Sequence, residues 1–104
     1  LVNQWDTRQA MALVGFAEME LNGRFTDNAV LYLALVIAIQ KQRILNGQIT
    51  NTIHSNFNKQ AHPKVWQVAS DMLAQLEVNL PEKQQECERA YLTMHLLSGS
   101  RSGI

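Results

Sequence analysis

The sequence predicts an all-α fold, an antiparallel bundle of five helices of which four are long and one is short. Apolar residues recur at three- and four-residue spacing along most of the 104 residues. The two prolines and five glycines are few, and most fall where a helix would begin or end. The connections are short, as in bundles of antiparallel helices. A chain of this length forms one domain, and we expect a single domain over 1–104, with a core over about 7–98 and a tail or linker at 99–104.

The first helix is predicted near 7–22. Asp6 or Thr7 is suited to cap its N-terminus, because a short polar side chain there can accept a hydrogen bond from a free backbone N–H. Asn22-Gly23 supplies a left-handed end, since both residue types tolerate positive φ.

The second helix is predicted near 27–46, with Asp27 as its N-cap and Asn46-Gly47 as its end. Its middle, over 29–39, is apolar on every side. A helix of this kind is surrounded by other helices or by a partner chain. We therefore expect the part around 33–39 to be the most buried of the molecule.

Three more helices complete the predicted bundle. A short one is expected within 50–58, where apolar residues recur at four-residue spacing. The third is expected near 63–78, with Pro63 in the first helical position, where its missing N–H costs nothing. The fourth is expected near 82–98 and to end at Gly99.

Composition and motifs exclude several function classes. Nine Lys and Arg oppose nine Asp and Glu, so the net charge is zero, which argues against direct nucleic-acid binding. The longest apolar run is too short to cross a bilayer. The single cysteine, Cys87, fits a reducing compartment, and we expect a cytoplasmic location. No phosphate-binding loop, metal-ligand cluster or catalytic constellation is present in the sequence, so we expect neither enzyme activity nor a metal or cofactor.

His95 is the residue of most interest in the last helix. The apolar positions of that helix define a main stripe of Cys87, Ala90, Tyr91, Met94 and Leu97. His95 lies about 100° from the centre of this stripe, which makes it a border residue in the last helical turn. A histidine there either satisfies free carbonyls or packs at an interface, or it serves a function at the surface. Leu92 and Leu96 lie off the stripe, and an exposed apolar patch of this kind predicts a homodimer.

In the closing segment of the sequence, Leu80-Pro81-Glu82 is followed by Tyr91-Leu92-x-x-His95-Leu96. In the central segment 35–47, Arg43 is followed four residues later by Gly47. These two segments, and in style the segment 65–77, resemble the PTS regulation domain of bacterial sugar-operon antiterminators and activators. The resemblance covers roughly residues 10–97 and implies a five-helix bundle, usually dimeric.

The resemblance also implies phosphorylation of histidine by the phosphocarrier protein HPr or by enzyme IIB of a sugar permease. The family's second phosphoacceptor histidine corresponds to His95, whereas its first corresponds to Val36, which cannot accept a phosphoryl group. Arg43, Gly47 and Glu88 match the family pattern. Three cations are candidates to support a phosphoryl group on His95: Arg43, Arg89 and Arg101. Without such support, a charge in the last turn and two turns from Glu88 is expected to loosen this helix end.

Two function classes remain open. In the first, the chain is a regulatory domain that HPr or enzyme IIB phosphorylates at His95, and it forms a homodimer without contacting nucleic acid or membrane. In the second, it is a degenerate domain that serves only as a dimerisation or adaptor module. Phosphorylation of His95 discriminates between the two.

Overall fold

The computed structural model describes residues 4–48 and 60–103, and within these ranges it contains four α-helices and no strand. They are α1 (Gln4–Glu20), α2 (Asp27–Leu45), α3 (Pro63–Leu76) and α4 (Glu82–Gly103). The all-α class is therefore confirmed, and 29–39 is helical. The short helix expected within 50–58 lies outside the described residues.

The turn between α1 and α2 is set by local signals. Asn22 has a φ of 53°, and the Gly23 N–H donates to the Glu18 carbonyl at 3.1 Å, which ends α1 in the left-handed manner that its sequence predicts. The cap of α2 differs from the prediction. Thr26 is the N-cap, and its side-chain oxygen accepts from the Ala29 N–H at 3.2 Å, whereas Asp27 is the first residue of the helix.

Replacing Thr26 by alanine removes this N-cap bond. We expect the free energy of unfolding to fall by about 1 kcal/mol, the usual cost of losing a Ser or Thr cap. Urea denaturation measures it, and Thr26→Ser is the matched control because serine keeps the accepting oxygen. Equal urea midpoints for the two variants would show that the cap contributes nothing.

The ends of α2 and α3 also follow the sequence. Gly47 has a φ of 76° and directly follows the cap residue Asn46 of α2, and the Gln48 N–H donates to the Arg43 carbonyl at 2.8 Å. Pro63 is the first residue of α3, as predicted. The first helix begins earlier than expected, at Gln4, so that Asp6 lies inside it rather than at its cap.

Helix α4 does not end at Gly99 but continues to Gly103, so the predicted helix end at Gly99 is wrong. Gly99 is buried, and a Cβ at this position would lie 3.0 Å from Leu33 Cδ1 and 3.6 Å from Phe25 Cδ1. The glycine therefore allows α4 to pass close to α2, and it does not act as a helix stop.

The core forms where α2 packs against α1 and α4, and where α3 packs against α4 and α1. Among its members are the buried residues Leu13, Val14, Leu33, Ile37, Val68, Met72, Leu92 and Leu96. Phe25, in the turn between α1 and α2, closes one end of this core.

Five of the seven residues over 33–39 are buried, in line with the prediction for this stretch, but α2 is not surrounded on every side. Leu33 and Ile37 are fully buried, but Leu31, Leu35 and Ile39 are 63%, 54% and 45% exposed. These three residues, four apart, form the α2 apolar stripe. By length and composition α2 could span a membrane, and 44% of that window is buried inside the bundle. One such helix is weak evidence for a membrane span.

The buried face of α4 agrees only in part with the stripe predicted from its sequence, of which Cys87 and Ala90 are buried. Leu92 and Leu96 have no exposed surface, together with Glu88 and Thr93, whereas Met94 is 39% exposed. Glu88 and Thr93 are tolerated there because each makes hydrogen bonds inside the bundle. Leu92 and Leu96 therefore do not form the exposed apolar patch from which the homodimer was predicted.

Candidate functional site

His95 lies on α4 at the junction with α2 and is partly buried. Its ring stands between two tyrosines. The Tyr32 hydroxyl, from α2, is 2.6 Å from Nδ1 of His95, and the Tyr91 ring, one turn earlier on α4, meets the imidazole edge-on with 4.5 Å between centroids. His95 lies eight residues before the last residue of α4, so it is not in the last turn as predicted.

The imidazole is suited to act as a nucleophile. Burial lowers the pKa of His95 below its ordinary value of 6.5, since the charged form loses hydration. The ring is therefore mostly neutral at pH 7 and retains a lone pair on one nitrogen. Within the described part of the chain, the hydrogen bond to Tyr32 is the only one that the ring makes.

The lowered pKa of His95 has a consequence for stability. As pH falls through about 6.5, the unfolded chain takes up a proton that the folded ring takes up only at lower pH, so the free energy of unfolding decreases. We expect His95→Gln to reduce the loss of stability between pH 8 and pH 5, measured by urea denaturation. His62→Gln, at an exposed position, is the control for loss of a histidine. Parallel pH profiles for the wild type and His95→Gln would contradict the expectation.

A buried polar cluster lies on the same two helices. Both carboxylate oxygens of Glu88 accept from the Arg43 guanidinium at 2.8 Å, in a bidentate ion pair. The Gln40 amide nitrogen also donates to Glu88 Oε1 at 2.9 Å and to the Glu88 carbonyl at 3.2 Å. The Glu88 side chain has no exposed surface, while that of Arg43 is 22% exposed. The cluster holds α2 and α4 in one register.

This cluster corrects one expectation from the sequence. Glu88 is buried, and it is not an uncompensated negative charge near His95, because Arg43 neutralises it. Arg43 also lies over the Tyr91 ring, 5.3 Å from its centroid. Tyr91 in turn contacts His95, so the guanidinium and the imidazole are linked through one aromatic ring.

The candidate cation Arg89 and the residue Val36 lie elsewhere. Arg89 turns towards α3, where Nε donates to the Trp66 carbonyl at 2.7 Å and the guanidinium lies 4.2 Å from the Trp66 ring centroid. It is therefore not directed at His95. The side chain of Arg101 lies outside the described residues. Val36 is buried on α2, one turn after Tyr32.

Sequence reasoning missed Tyr32 and Gln40. Tyr32 is the only residue with a polar side-chain atom in the run 29–39, and that exception was the one available signal. Gln40 begins the polar end of the same run and looks exposed by position, yet it is fully buried. Neither partner is predictable from the spacing alone, because both lie more than forty residues away on α4.

The family model that describes the PRD domain matches residues 11–99. The chain belongs to the PRD family. The match covers most of all four helices and includes both His95 and Arg43. PRD domains are regulatory, and they are known from regulators and antiterminators controlled by the sugar phosphotransferase system. No curated protein and no solved structure matches the chain.

In this PRD domain α2, which carries Val36, and α4, which carries His95, are in contact. Tyr32, one turn before Val36, reaches from α2 to the His95 ring. The site therefore contains one histidine and a tyrosine hydroxyl.

Proposed function

We propose that this PRD domain is a regulatory module of a bacterial transcription regulator or antiterminator, and that its His95 accepts a phosphoryl group. The donor is HPr or an enzyme IIB of the sugar phosphotransferase system, which places the domain in the cytoplasm. The observation that supports this most directly is a neutral, partly exposed imidazole in the family's closing motif, with one nitrogen engaged by Tyr32. Because Val36 replaces the first histidine, we propose regulation through one site.

Phosphorylation would add a charge of roughly −1.5 to −2 beside Tyr91. Arg43, which lies over that ring, is the candidate cation best placed to respond. A shift of its guanidinium towards the phosphoryl group would weaken the ion pair with Glu88, which has no exposure to water. Phosphorylation would therefore change how α2 and α4 pack together. In this way a local change of charge would have a wider structural consequence.

The experiment incubates the protein with phosphoenolpyruvate, enzyme I and HPr, with and without a cognate phosphorylated enzyme IIB. Mass spectrometry is expected to find a phosphoryl adduct on His95. His95→Ala should abolish the adduct and keep the fold, because the imidazole is only partly buried. His62→Ala, at an exposed position, is the matched control and should retain it. No adduct with any donor, in a folded protein, would overturn the proposal.

A second candidate function is a dimerisation or adaptor module without phosphorylation. The α2 apolar stripe favours it, because contiguous exposed apolar residues mark interaction surfaces. The valine at the first histidine position also agrees with a domain that has lost regulation. The absence of an adduct on His95 together with a stable dimer would favour this function over the first.

Both candidate functions include a homodimer, which we expect to use the α2 apolar stripe. Leu35→Glu places a charge in the middle of this stripe, and we expect it to convert the dimer to a monomer. Sedimentation velocity at micromolar concentrations measures the change. The control is Met19→Glu, at an exposed position on α1. A wild-type protein that is monomeric at high micromolar concentration would contradict the expectation.

A further inference from the structure

The proposed function gives the Tyr32 hydroxyl no role in the phosphoryl transfer, although the hydroxyl engages one nitrogen of His95. It is the one polar group of α2 that contacts His95, and it arises from a helix face that is otherwise apolar and exposed. Tyr32 itself is 45% exposed. An exposed phenol gains little stability from one hydrogen bond, so this contact bears on the histidine rather than on the core.

We infer that Tyr32 is a positioning residue that directs the phosphoryl group to Nε2 of His95 and keeps it from Nδ1. The inference rests on the proposed function, since it specifies which atom of the phosphoacceptor reacts. Three properties of the site support it: the position of the hydroxyl, the tautomer that the reaction requires, and the way in which two rings fix the imidazole.

The position of the hydroxyl excludes Nδ1 from the reaction. An oxygen at 2.6 Å occupies the direction from which a phosphorus atom would have to approach that nitrogen. Nε2 has no hydrogen-bond partner among the residues that the structure describes. It is therefore the nitrogen that an incoming phosphodonor can reach.

The reaction also requires one tautomer. Nε2 attacks with its lone pair, so the ring proton is on Nδ1 and is donated to the Tyr32 oxygen. The Nε2–P bond forms as the bond between phosphorus and the donor's nitrogen or sulfur breaks, and that electron pair stays with the donor. The phosphorylated ring keeps its proton on Nδ1, where the Tyr32 oxygen stabilises the positive charge of the ring. No additional oxidant or reductant enters the step.

Two rings fix the orientation of the imidazole. The Tyr91 ring meets it edge-on, and the Tyr32 ring lies 5.5 Å away at an interplanar angle of 51°. Only Tyr32 makes a hydrogen bond with the ring among the described residues. Removal of the Tyr32 hydroxyl would therefore keep the aromatic packing and free Nδ1, which makes Tyr32→Phe a selective test.

The test uses the full chain in a His54→Gln, His62→Gln background, so that His95 is the only histidine. One arm phosphorylates with phosphoenolpyruvate, enzyme I and HPr, and the other uses potassium phosphoramidate, which needs no protein donor. Alkaline hydrolysis and chromatography then separate Nδ1- from Nε2-phosphohistidine. Tyr91→Phe is the matched comparison, because it removes the other tyrosine hydroxyl and leaves the bond to Nδ1 in place.

We expect only the Nε2 isomer in the protein that keeps both tyrosines and in the Tyr91→Phe variant. We expect both isomers from Tyr32→Phe, with a rate about three- to tenfold lower, as for loss of one neutral hydrogen bond. Formation of the Nδ1 isomer in the protein that keeps both Tyr32 and Tyr91 would overturn the inference. This measurement remains valid even if Tyr32→Phe does not fold. The same isomer at the same rate in Tyr32→Phe would overturn it as well.

The two arms separate this inference from the proposed function. If HPr and enzyme IIB do not phosphorylate His95 but phosphoramidate gives the expected isomers, the proposed function fails and the role of Tyr32 stands. If phosphoramidate modifies His95 only after denaturation, Nε2 is not accessible in the folded protein and the inference fails.

Discussion

Replacing Arg43 by alanine is expected to lower the free energy of unfolding by about 3 kcal/mol. The substitution leaves the Glu88 carboxylate buried without its bidentate partner, and breaking a buried ion pair from one side costs roughly 3–5 kcal/mol. We take the lower end because the Arg43 side chain is 22% exposed and the cavity left behind can admit water. Thermal unfolding should shift down by roughly 12 °C or more.

Two variants serve as controls for this prediction. Arg24→Ala removes an exposed arginine in the turn before α2 and should change the stability by less than about 0.5 kcal/mol. Glu88→Gln removes the buried charge itself while keeping an oxygen that can accept hydrogen bonds, and it should cost less than Arg43→Ala. A urea midpoint for Arg43→Ala equal to that of Arg24→Ala would show that the ion pair does not support the fold.

Leu33→Ala is expected to cost about 3 kcal/mol of stability. Leu33 is fully buried on α2 and lies where Gly99 brings α4 close, so the deleted methyl groups leave a cavity between two helices. Removing a buried leucine side chain costs roughly 2–5 kcal/mol, depending on how far the surroundings collapse. The free energy of unfolding from urea denaturation measures the change.

The matched control is Leu45→Ala at the end of the same helix, where the side chain is 60% exposed. It makes the same chemical change without a cavity and should alter the stability by less than about 0.5 kcal/mol. Equal losses for the two variants would mean that helix propensity, rather than packing between α2 and α4, determines the effect.

Local signals explain which parts of the fold the sequence predicts. Pro63 begins α3, and the left-handed residues Asn22 and Gly47 mark the ends of α1 and α2, because each acts through its own backbone and its near neighbours. The helix end predicted at Gly99 is wrong because the role of this glycine is not local. Its role depends on Leu33, sixty-six residues away, and nothing near Gly99 in the chain reports that contact.

In the candidate site, too, local signals are predictable from the sequence and contacts between distant residues are not. The closing motif singles out His95 as a candidate without a structure, and the family match over residues 11–99 confirms the family that the motif predicts. The partner of its Nδ1 could not be predicted, because Tyr32 is exposed and no short-range pattern links it to α4. Arg43 and Glu88 were recognised as matching positions, but not as an ion pair with Gln40 beside it.

By itself, then, the sequence determined that the protein is helical, where most of its helices begin and end, and which histidine is the candidate phosphoacceptor. Only the tertiary structure decided which face of α4 is buried, and the reason is physical. Both the stripe through Met94 and the stripe through Leu92 satisfy helical periodicity, so burial is decided by what packs against them. Leu92 and Leu96 lie in the core that α4 forms with its neighbouring helices. The packing of α4 against α2 brings Tyr32 to His95 and Arg43 to Glu88.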